Sequence, residues 1–187
     1  MRSRRVKGDP LFVKTTSRIA TLCIFLMLVL VPYAHSQGVR TIFLVRHADK
    51  VSDAPDALLS EAGQRRAECL AKLLADADIQ KIYTSDLQRT QQTAAPLARQ
   101  RQLKPVAIPL STPEALIEAL KSEKANNVLV VWHGTTLPHV LQALGAPEVQ
   151  PIAEAEYDRF FILTLPQNKE HSTVGFTVLR YCDREDN

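Results

Sequence analysis

The sequence predicts an α/β domain with three layers, in which helices cover both faces of a mostly parallel central sheet. From residue 39 onward, short runs rich in β-branched and aromatic residues alternate with amphipathic stretches of helical period, as in strand–helix–strand units. Two of these runs, residues 41–45 and 128–131, are almost continuously apolar. Such strands are covered on both faces, which is typical of a parallel sheet.

The first half of the domain contains three predicted strands and two predicted helices. The strands are Thr41 to Val45, Lys81 to Thr84 and Val106 to Pro109. Ser60 predicts the N-cap of the first helix. Acidic Glu61 follows it in the first turn, and the apolar positions at helical spacing are Ala67, Leu70, Ala71 and Leu74.

The second helix is predicted from about Asp86 to Arg101. Pro96 lies inside it, and a proline removes one helical hydrogen bond and collides with the preceding turn. We therefore expect a kink or an early break at this position.

The second half begins with a third predicted helix, from Thr112 to about Lys124. Thr112 is its expected capping residue, with Pro113 in the first helical position and Glu114 near the positive end of the helix dipole. The clearest buried strand, Asn127 to Trp132, comes next.

A fourth helix is predicted from Thr136 to Leu144, and it stops at Gly145. Two further strands, Tyr157 to Leu165 and Thr173 to Tyr181, are joined by a polar turn. This arrangement predicts an antiparallel pair at one side of the sheet.

Residues 1–36 have the pattern of a secretory signal peptide, which leaves residues 37–187 as the mature domain. A basic stretch precedes the apolar run from Ile19 to Val31, and small residues at Ala34 and Ser36 suit cleavage after Ser36. The alternative is an uncleaved anchor, but a 13-residue helix spans only about 20 Å of the roughly 30 Å that a bilayer requires. We therefore expect a periplasmic or secreted protein that meets the membrane only transiently, through this peptide.

The distribution of charge argues against nucleic-acid binding. Residues 1–36 hold six of the 23 basic and one of the 20 acidic residues, so the rest of the chain carries 17 basic against 19 acidic side chains. A nucleic-acid-binding surface needs a basic patch on the folded domain. Two cysteines remain after cleavage, Cys69 and Cys182, and the sequence leaves open whether they form a disulfide.

Unusual polar residues follow three of the predicted strands. They are Arg46 with His47, Ser85 with Arg89 one turn later, and His133. In open α/β sheets, ligands bind at the carboxyl ends of the strands, so we expect these side chains to meet at one edge.

With these residues the chain resembles the histidine phosphatase superfamily, which is also described as phosphoglycerate mutase-like. Within this superfamily it resembles the small branch, whose members have no cap insertion. The resemblance lies in three ordered blocks: LVRHADK, YTSDLQRTQQTA and VVWHGTTLPHVLQALG. It implies a phosphohistidine intermediate on His47, with His133 as a hydrogen-bond donor to the transferring group. A neutral imidazole is a good nucleophile toward phosphorus. To attack through one ring nitrogen, His47 must keep its proton on the other, and we expect that N–H to donate to a backbone carbonyl in the following loop.

Arg46 and Arg89 can each grip phosphate oxygens through two hydrogen bonds and disfavour protonation of the nucleophile. Further candidate binding residues at the strand ends and helix starts are Lys50, Ser85, Gly134, Thr135 and Thr136. Lys50 is almost as readily interpreted as a surface lysine. We expect no metal and no cofactor. Neither the pair Asp49 and His47 nor the pair His133 and His139 has the residue spacing of a metal site, and no third ligand is evident for either pair.

The group that protonates a departing alcohol is not evident from the sequence. Many members of the superfamily carry a glutamate in a loop after the second helix or an acid directly after the second histidine, and this chain has neither. Glu114, Glu118 and Asp49 are the candidates, in that order of preference.

The sequence therefore predicts an exported, metal-independent phosphomonoesterase that acts on a small phosphorylated substrate. Periplasmic sugar or lipopolysaccharide phosphates are candidates from location alone. The alternatives are a phosphohistidine phosphatase of the kind used in signalling, a phosphate-binding or regulatory relative with weak turnover, and a membrane-tethered interaction protein.

Overall fold

The computed structural model describes residues 39–166 and 173–182, and the predicted signal peptide lies outside these ranges. The strands are β1 (Val39–Arg46), β2 (Lys81–Ser85), β3 (Val106–Ile108), β4 (Asn127–Trp132), β5 (Arg159–Pro166) and β6 (Gly175–Arg180). The helices are α1 (Glu61–Leu73), α2 (Gln88–Arg101), α3 (Pro113–Ser122) and α4 (Leu137–Ala143). None of the helices in the described part of the chain is both long and apolar enough to cross a bilayer.

The six strands form one sheet in the order β3-β2-β4-β1-β5-β6. The first four strands along the chain are mutually parallel where they pair. Strand β5 runs antiparallel to β1, and β6 runs antiparallel to β5. The predicted fold class, a mostly parallel sheet with an antiparallel pair near the C-terminus, is confirmed.

Helices pack on both faces of the sheet because successive side chains of its central strands point to opposite sides. Ile42 and Leu44 of β1 belong to the apolar cluster that includes α3 and α4, whereas Val45 belongs to the cluster that includes α1 and α2. The same alternation continues along β4, where Val130 faces the first cluster and Val131 the second. This alternation produces the three predicted layers.

Two details of the helices differ from prediction. Helix α2 continues through Pro96 to Arg101, so the expected early break is wrong. The buried side chains of Ala94, Leu97 and Ala98 on either side of the proline stabilise the helix by more than the missing hydrogen bond costs. Thr112 makes no side-chain capping bond to α3, because its hydroxyl donates to the carbonyl of Pro109 instead.

A disulfide joins Cys69 of α1 to Cys182, which follows β6, with 6.2 Å between their Cα atoms. Arg66, one turn earlier on α1, donates from Nη1 to the carbonyl oxygens of Tyr181 (3.3 Å) and Cys182 (2.7 Å). The pairing that the sequence left open is therefore made, and the chain after β6 is fixed to α1.

Helix α1 begins in direct contact with the loop that follows β1. Its N-cap is Ser60, as predicted, whose Oγ accepts from the backbone N–H of Gly63 at 3.1 Å. The backbone N–H of Ser60 donates to the carbonyl of Asp49 at 2.9 Å. A Cβ atom at Gly63 would lie 2.1 Å from that same carbonyl oxygen, so only glycine fits here.

Replacement of Gly63 by alanine is expected to lower the free energy of unfolding by about 1–3 kcal/mol, because the added methyl group forces α1 away from the loop. Thermal unfolding followed by circular dichroism measures the effect. Gln64→Ala, on the exposed side of the same helix, is the matched control and should change stability by less than about 0.5 kcal/mol. Equal stability of the two variants would contradict the close contact.

The disulfide is expected to stabilise the domain by about 4 kcal/mol, since it closes a loop of more than a hundred residues in the unfolded chain. Urea unfolding of the double variant Cys69→Ser/Cys182→Ser, compared with the oxidised protein, measures this difference. Reductant should lower the stability of the wild type to that of the variant and leave the variant unchanged. A wild type that does not respond to reductant would argue against the pairing.

Candidate active site

The carboxyl ends of β2, β4 and β1, which are neighbours in the sheet, surround a cavity of about 330 Å³. Arg46 is the last residue of β1, His47 and His133 directly follow β1 and β4, and Arg89 lies in the first turn of α2. All four side chains line this cavity. The two imidazole rings are 5.3 Å apart between centroids.

Strand β1 ends in a way that sends two consecutive side chains into the cavity. The backbone N–H of His47 still donates to the carbonyl of Trp132 in β4 (2.9 Å), but that of Ala48 donates to the Oγ1 of Thr93 in α2 (2.9 Å). In a continuing strand, Arg46 and His47 would point to opposite faces. The strand ends at Arg46, as the prediction required.

The His47 ring is held neutral with one nitrogen available. Its Nδ1 lies 2.9 Å from the carbonyl oxygen of Ala48. Because a carbonyl can only accept, Nδ1 carries the proton and Nε2 keeps its lone pair, which confirms the predicted hydrogen bond. The pKa of His47 is lowered to about 4, mainly by burial and also by the charges of Arg46, Arg89 and Lys50. The hydrogen bond to Ala48 acts in the opposite direction and raises it.

Three cationic side chains line the cavity, and two of them hold hydrogen-bond donors without partners. Lys50 lies 3.3 Å from Glu154, which also lines the cavity. The buried Nε atoms of Arg46 and Arg89 have no hydrogen-bond partner within the described residues. Guanidinium groups on a cavity wall favour binding of an anion in that cavity. The cavity is therefore suited to bind a small anion beside a free imidazole nitrogen.

His133 positions Arg89 in this arrangement. Its Nδ1 accepts from Nη2 of Arg89 (3.2 Å), so the proton lies on Nε2, which donates to the Oγ of Ser85 (2.8 Å). The pKa of His133 is lowered to about 3, mainly by burial and also by the nearby Arg89, His47 and Arg46. Both ring nitrogens are thus engaged, and direct donation from His133 to a bound anion stays a prediction.

The five candidate binding residues divide into two groups. Lys50, Gly134 and Thr135 line the cavity. Ser85 lies behind the His133 ring, fully buried, and Thr136 is likewise not part of the cavity wall. A Cβ atom at Gly134 would lie 3.2 Å from Cδ of Arg46, so the absence of a side chain there makes room for the arginine.

None of the three acids predicted as proton donors lines the cavity. Glu114 is exposed at the start of α3, 3.8 Å from the exposed His139, and Glu118 pairs with Lys121 at 3.4 Å. Asp49 is buried in an ion pair with Nε of Arg66 at 2.8 Å. These predictions are corrected for a common reason: nearness in sequence to a strand end or a helix start does not determine which way a side chain points.

Instead, residues 151–158, which precede β5, contribute three residues that the sequence analysis missed. Ile152 and Glu154 line the cavity. Tyr157 places its ring 4.3 Å from the guanidinium carbon of Arg46 and 5.9 Å from the His47 ring centroid. Because β5 runs antiparallel to β1, the chain before β5 lies at the edge where β1 ends. The predicted antiparallel pair was thus a signal that could have pointed to this segment.

Within residues 39–166 and 173–182, no group of three His, Cys, Asp or Glu side chains is placed to hold a metal ion. His139 faces solvent beside Glu114 rather than joining His133 at the cavity.

Comparison with protein families identifies a match over residues 42–119 to the histidine phosphatase superfamily (branch 1). The matched segment includes Arg46, His47 and Arg89 and ends before His133. None of the curated proteins that were compared with the chain matches it.

Solved structures of phosphatases share the fold. A mycobacterial glucosyl-3-phosphoglycerate phosphatase is 16% identical, with a TM-score of 0.61 over 75% of this chain and 98% of its own. A protein of Agrobacterium tumefaciens named as the phosphohistidine phosphatase SixA is 21% identical, with a TM-score of 0.57 over 76% and 97%. The alpha-ribazole phosphatase of Shigella flexneri is 18% identical, with a TM-score of 0.56 over 72% and 94%. At these identities the likeness concerns the fold.

The buried, cation-flanked histidines are expected to stay neutral at pH 5.5, where a free imidazole with a pKa near 6.5 is mostly protonated. NMR titration of the ring protons, with His47→Gln and His133→Gln to assign the signals, should give midpoints of about 4 for His47 and about 3 for His133. Arg89→Met removes a positive charge near both rings and should raise both midpoints. Midpoints near 6.5 in the wild type would contradict this description of the cavity.

Proposed function

We propose that the chain is a metal-independent phosphomonoesterase of the histidine phosphatase superfamily, whose family model matches residues 42–119. His47 takes the phosphoryl group from a phosphate ester and passes it to water. The observation that carries the proposal is the state of this side chain, a neutral imidazole with a free Nε2 in a cavity lined by Arg46, Lys50 and Arg89.

The reaction has two displacements at phosphorus. In the first, Nε2 of His47 forms a bond to phosphorus while the bond to the ester oxygen breaks, and the departing oxygen takes up a proton from an acid and leaves as the alcohol. The ring gains positive charge, and the carbonyl of Ala48 stabilises that charge through the Nδ1 hydrogen bond. In the second, water attacks phosphorus and gives a proton back to that acid, the P–N bond breaks, and inorganic phosphate is released with the neutral imidazole restored.

The cationic side chains bind the transferring group. Arg46 and Arg89 line the cavity, so their guanidinium groups are placed to bind the non-bridging oxygens, and the ammonium of Lys50 adds a third positive charge. A buried, largely preformed cluster of donors costs little reorganisation when the substrate binds, so its interaction with the developing charge lowers the barrier.

The surroundings of the cavity favour a hydroxylated substrate. A second cavity of about 570 Å³ lies next to the first, sharing Lys50 and Glu154 with it. Its remaining wall carries polar side chains, including those of Ser52, Asp53 and Ser60. Sugar phosphates, including those of lipopolysaccharide, suit such a lining.

We further propose that the enzyme is exported and acts in the periplasm or outside the cell. The signal-like residues 1–36 support export. The disulfide between Cys69 and Cys182 also supports it, because structural disulfides form and persist in oxidising compartments.

Turnover of a ³²P-labelled aryl phosphate, quenched in alkali, tests the proposed nucleophile. Phosphohistidine survives base and is lost in acid, so alkali-stable label is expected on the wild type and absent from His47→Gln, together with a loss of kcat of at least about a thousandfold. His139→Gln is the matched control, since this exposed histidine lies outside the cavity, and it should keep both label and activity.

Full activity of His47→Gln, or acid-stable label on the wild type, would contradict the mechanism. Tight binding of inorganic phosphate with no label and no hydrolysis of the aryl ester would instead indicate a phosphate-binding relative.

A further inference from the structure

We propose that Glu154 is the acid–base residue of the reaction, which protonates the departing alcohol and then activates the attacking water. The inference rests on the phosphatase function proposed above. Glu154 was not among the candidate acids from the sequence, and it lies in the irregular segment before β5.

Among the described residues, Glu154 is the acidic residue that joins the wall of the cavity that contains His47. Glu114 and Glu118 are exposed and lie beside His139 and Lys121, outside this wall, and Asp49 is held by the buried Arg66. The side chain of Glu154 is 78% exposed.

The backbone of Glu154 is fixed by a residue of the site itself. Nη1 of Arg46 donates to the carbonyl oxygens of Ala153 (2.8 Å), Glu154 (2.7 Å) and Glu156 (3.2 Å). The ring of Tyr157 packs against the same guanidinium at 4.3 Å. The loop that carries Glu154 is therefore anchored to a phosphate-gripping arginine, which holds the acid near the transferring group.

Glu154 and Lys50 lie at the boundary between the two cavities, because both side chains line each of them. If the phosphoryl group occupies the cavity with His47, the alcohol portion of the substrate extends into the neighbouring one. The bond that breaks then lies at this boundary, which Glu154 lines.

Over one catalytic cycle Glu154 gives up one proton and takes one back. In the first displacement the carboxylic acid of Glu154 gives its proton to the leaving oxygen, and the product is a neutral alcohol. In the second, the resulting carboxylate takes a proton from the attacking water as the P–N bond breaks, which restores the acid. The ammonium of Lys50, 3.3 Å from the carboxylate, is drawn toward the bound phosphate.

A simpler role for Glu154 would be to hold Lys50, whose ammonium lies 3.3 Å from its carboxylate. Lys50→Met removes the side chain that Glu154 would hold and leaves Glu154 in place, so this variant separates the two roles.

The test compares Glu154→Gln with the wild type on two esters, 4-nitrophenyl phosphate and glucose 6-phosphate. The nitrophenolate departs without a proton, so kcat/KM for that ester should stay within about threefold, whereas kcat/KM for the sugar ester should fall by about a hundredfold or more. Phosphohistidine should accumulate on Glu154→Gln during turnover of the aryl ester, because attack by water is slowed. Lys50→Met should lower kcat/KM for both esters by the same factor, because it removes a charge that binds the phosphate group of either ester.

An equal loss of kcat/KM on both esters, or no loss on either, would overturn the role of Glu154. The same follows if Lys50→Met reproduces the selective loss on the sugar ester. These outcomes are separate from failure of the proposed function, which would appear as a wild type without alkali-stable label on His47.

Discussion

The chemistry of this domain depends on how the backbone is held in the three residues after β1. The N–H of Ala48 is bound by Thr93, its carbonyl by the His47 ring, and the carbonyl of Asp49 by the N-cap of α1. With these groups satisfied the loop has little freedom to rotate, so the imidazole keeps a single orientation and a single tautomer. The contact at Gly63 adds a steric limit from the other side. In other nucleophilic or catalytic histidines a carboxylate partner fixes the orientation and tautomer of the ring. Here the rigid loop fixes both for His47.

Much of the fold and of the cationic cluster could be predicted from the sequence, and for one physical reason. Continuous apolar strands reveal a parallel sheet, and parallel strands bring their carboxyl ends to one edge. Arg46 with His47, Arg89 and His133 come from three separate stretches of the sequence at or near those ends, and the structure brings all four to one cavity. Even the hydrogen bond from the His47 ring to a backbone carbonyl follows from what a nucleophilic imidazole needs.

What could not be predicted is the direction of side chains in irregular segments. Ser85 follows the rule of strand ends, yet its hydroxyl supports His133 from behind instead of facing the cavity. Asp49 lies two residues from His47, but the helix packed against its loop supplies Arg66, and the carboxylate turns to that charge. Glu154 and Tyr157 belong to a stretch with neither helical nor strand periodicity. Their places depend on contacts with Arg46 that only the folded chain makes, a hydrogen bond to the carbonyl of Glu154 and a cation–π contact with the Tyr157 ring. Pairing of Cys69 with Cys182 likewise depends on tertiary distance.

The position of β1 in the sheet also determines when the domain can fold. Strand β1 is the first described strand to leave the ribosome, yet it lies between β4 and β5, which begin only at Asn127 and Arg159. The central hydrogen-bonded ladders therefore join segments made early and late in synthesis, a topology of high contact order that slows folding. The nascent chain consequently cannot complete its sheet until β5 and β6 have been translated, and a late-folding chain would suit the export proposed above.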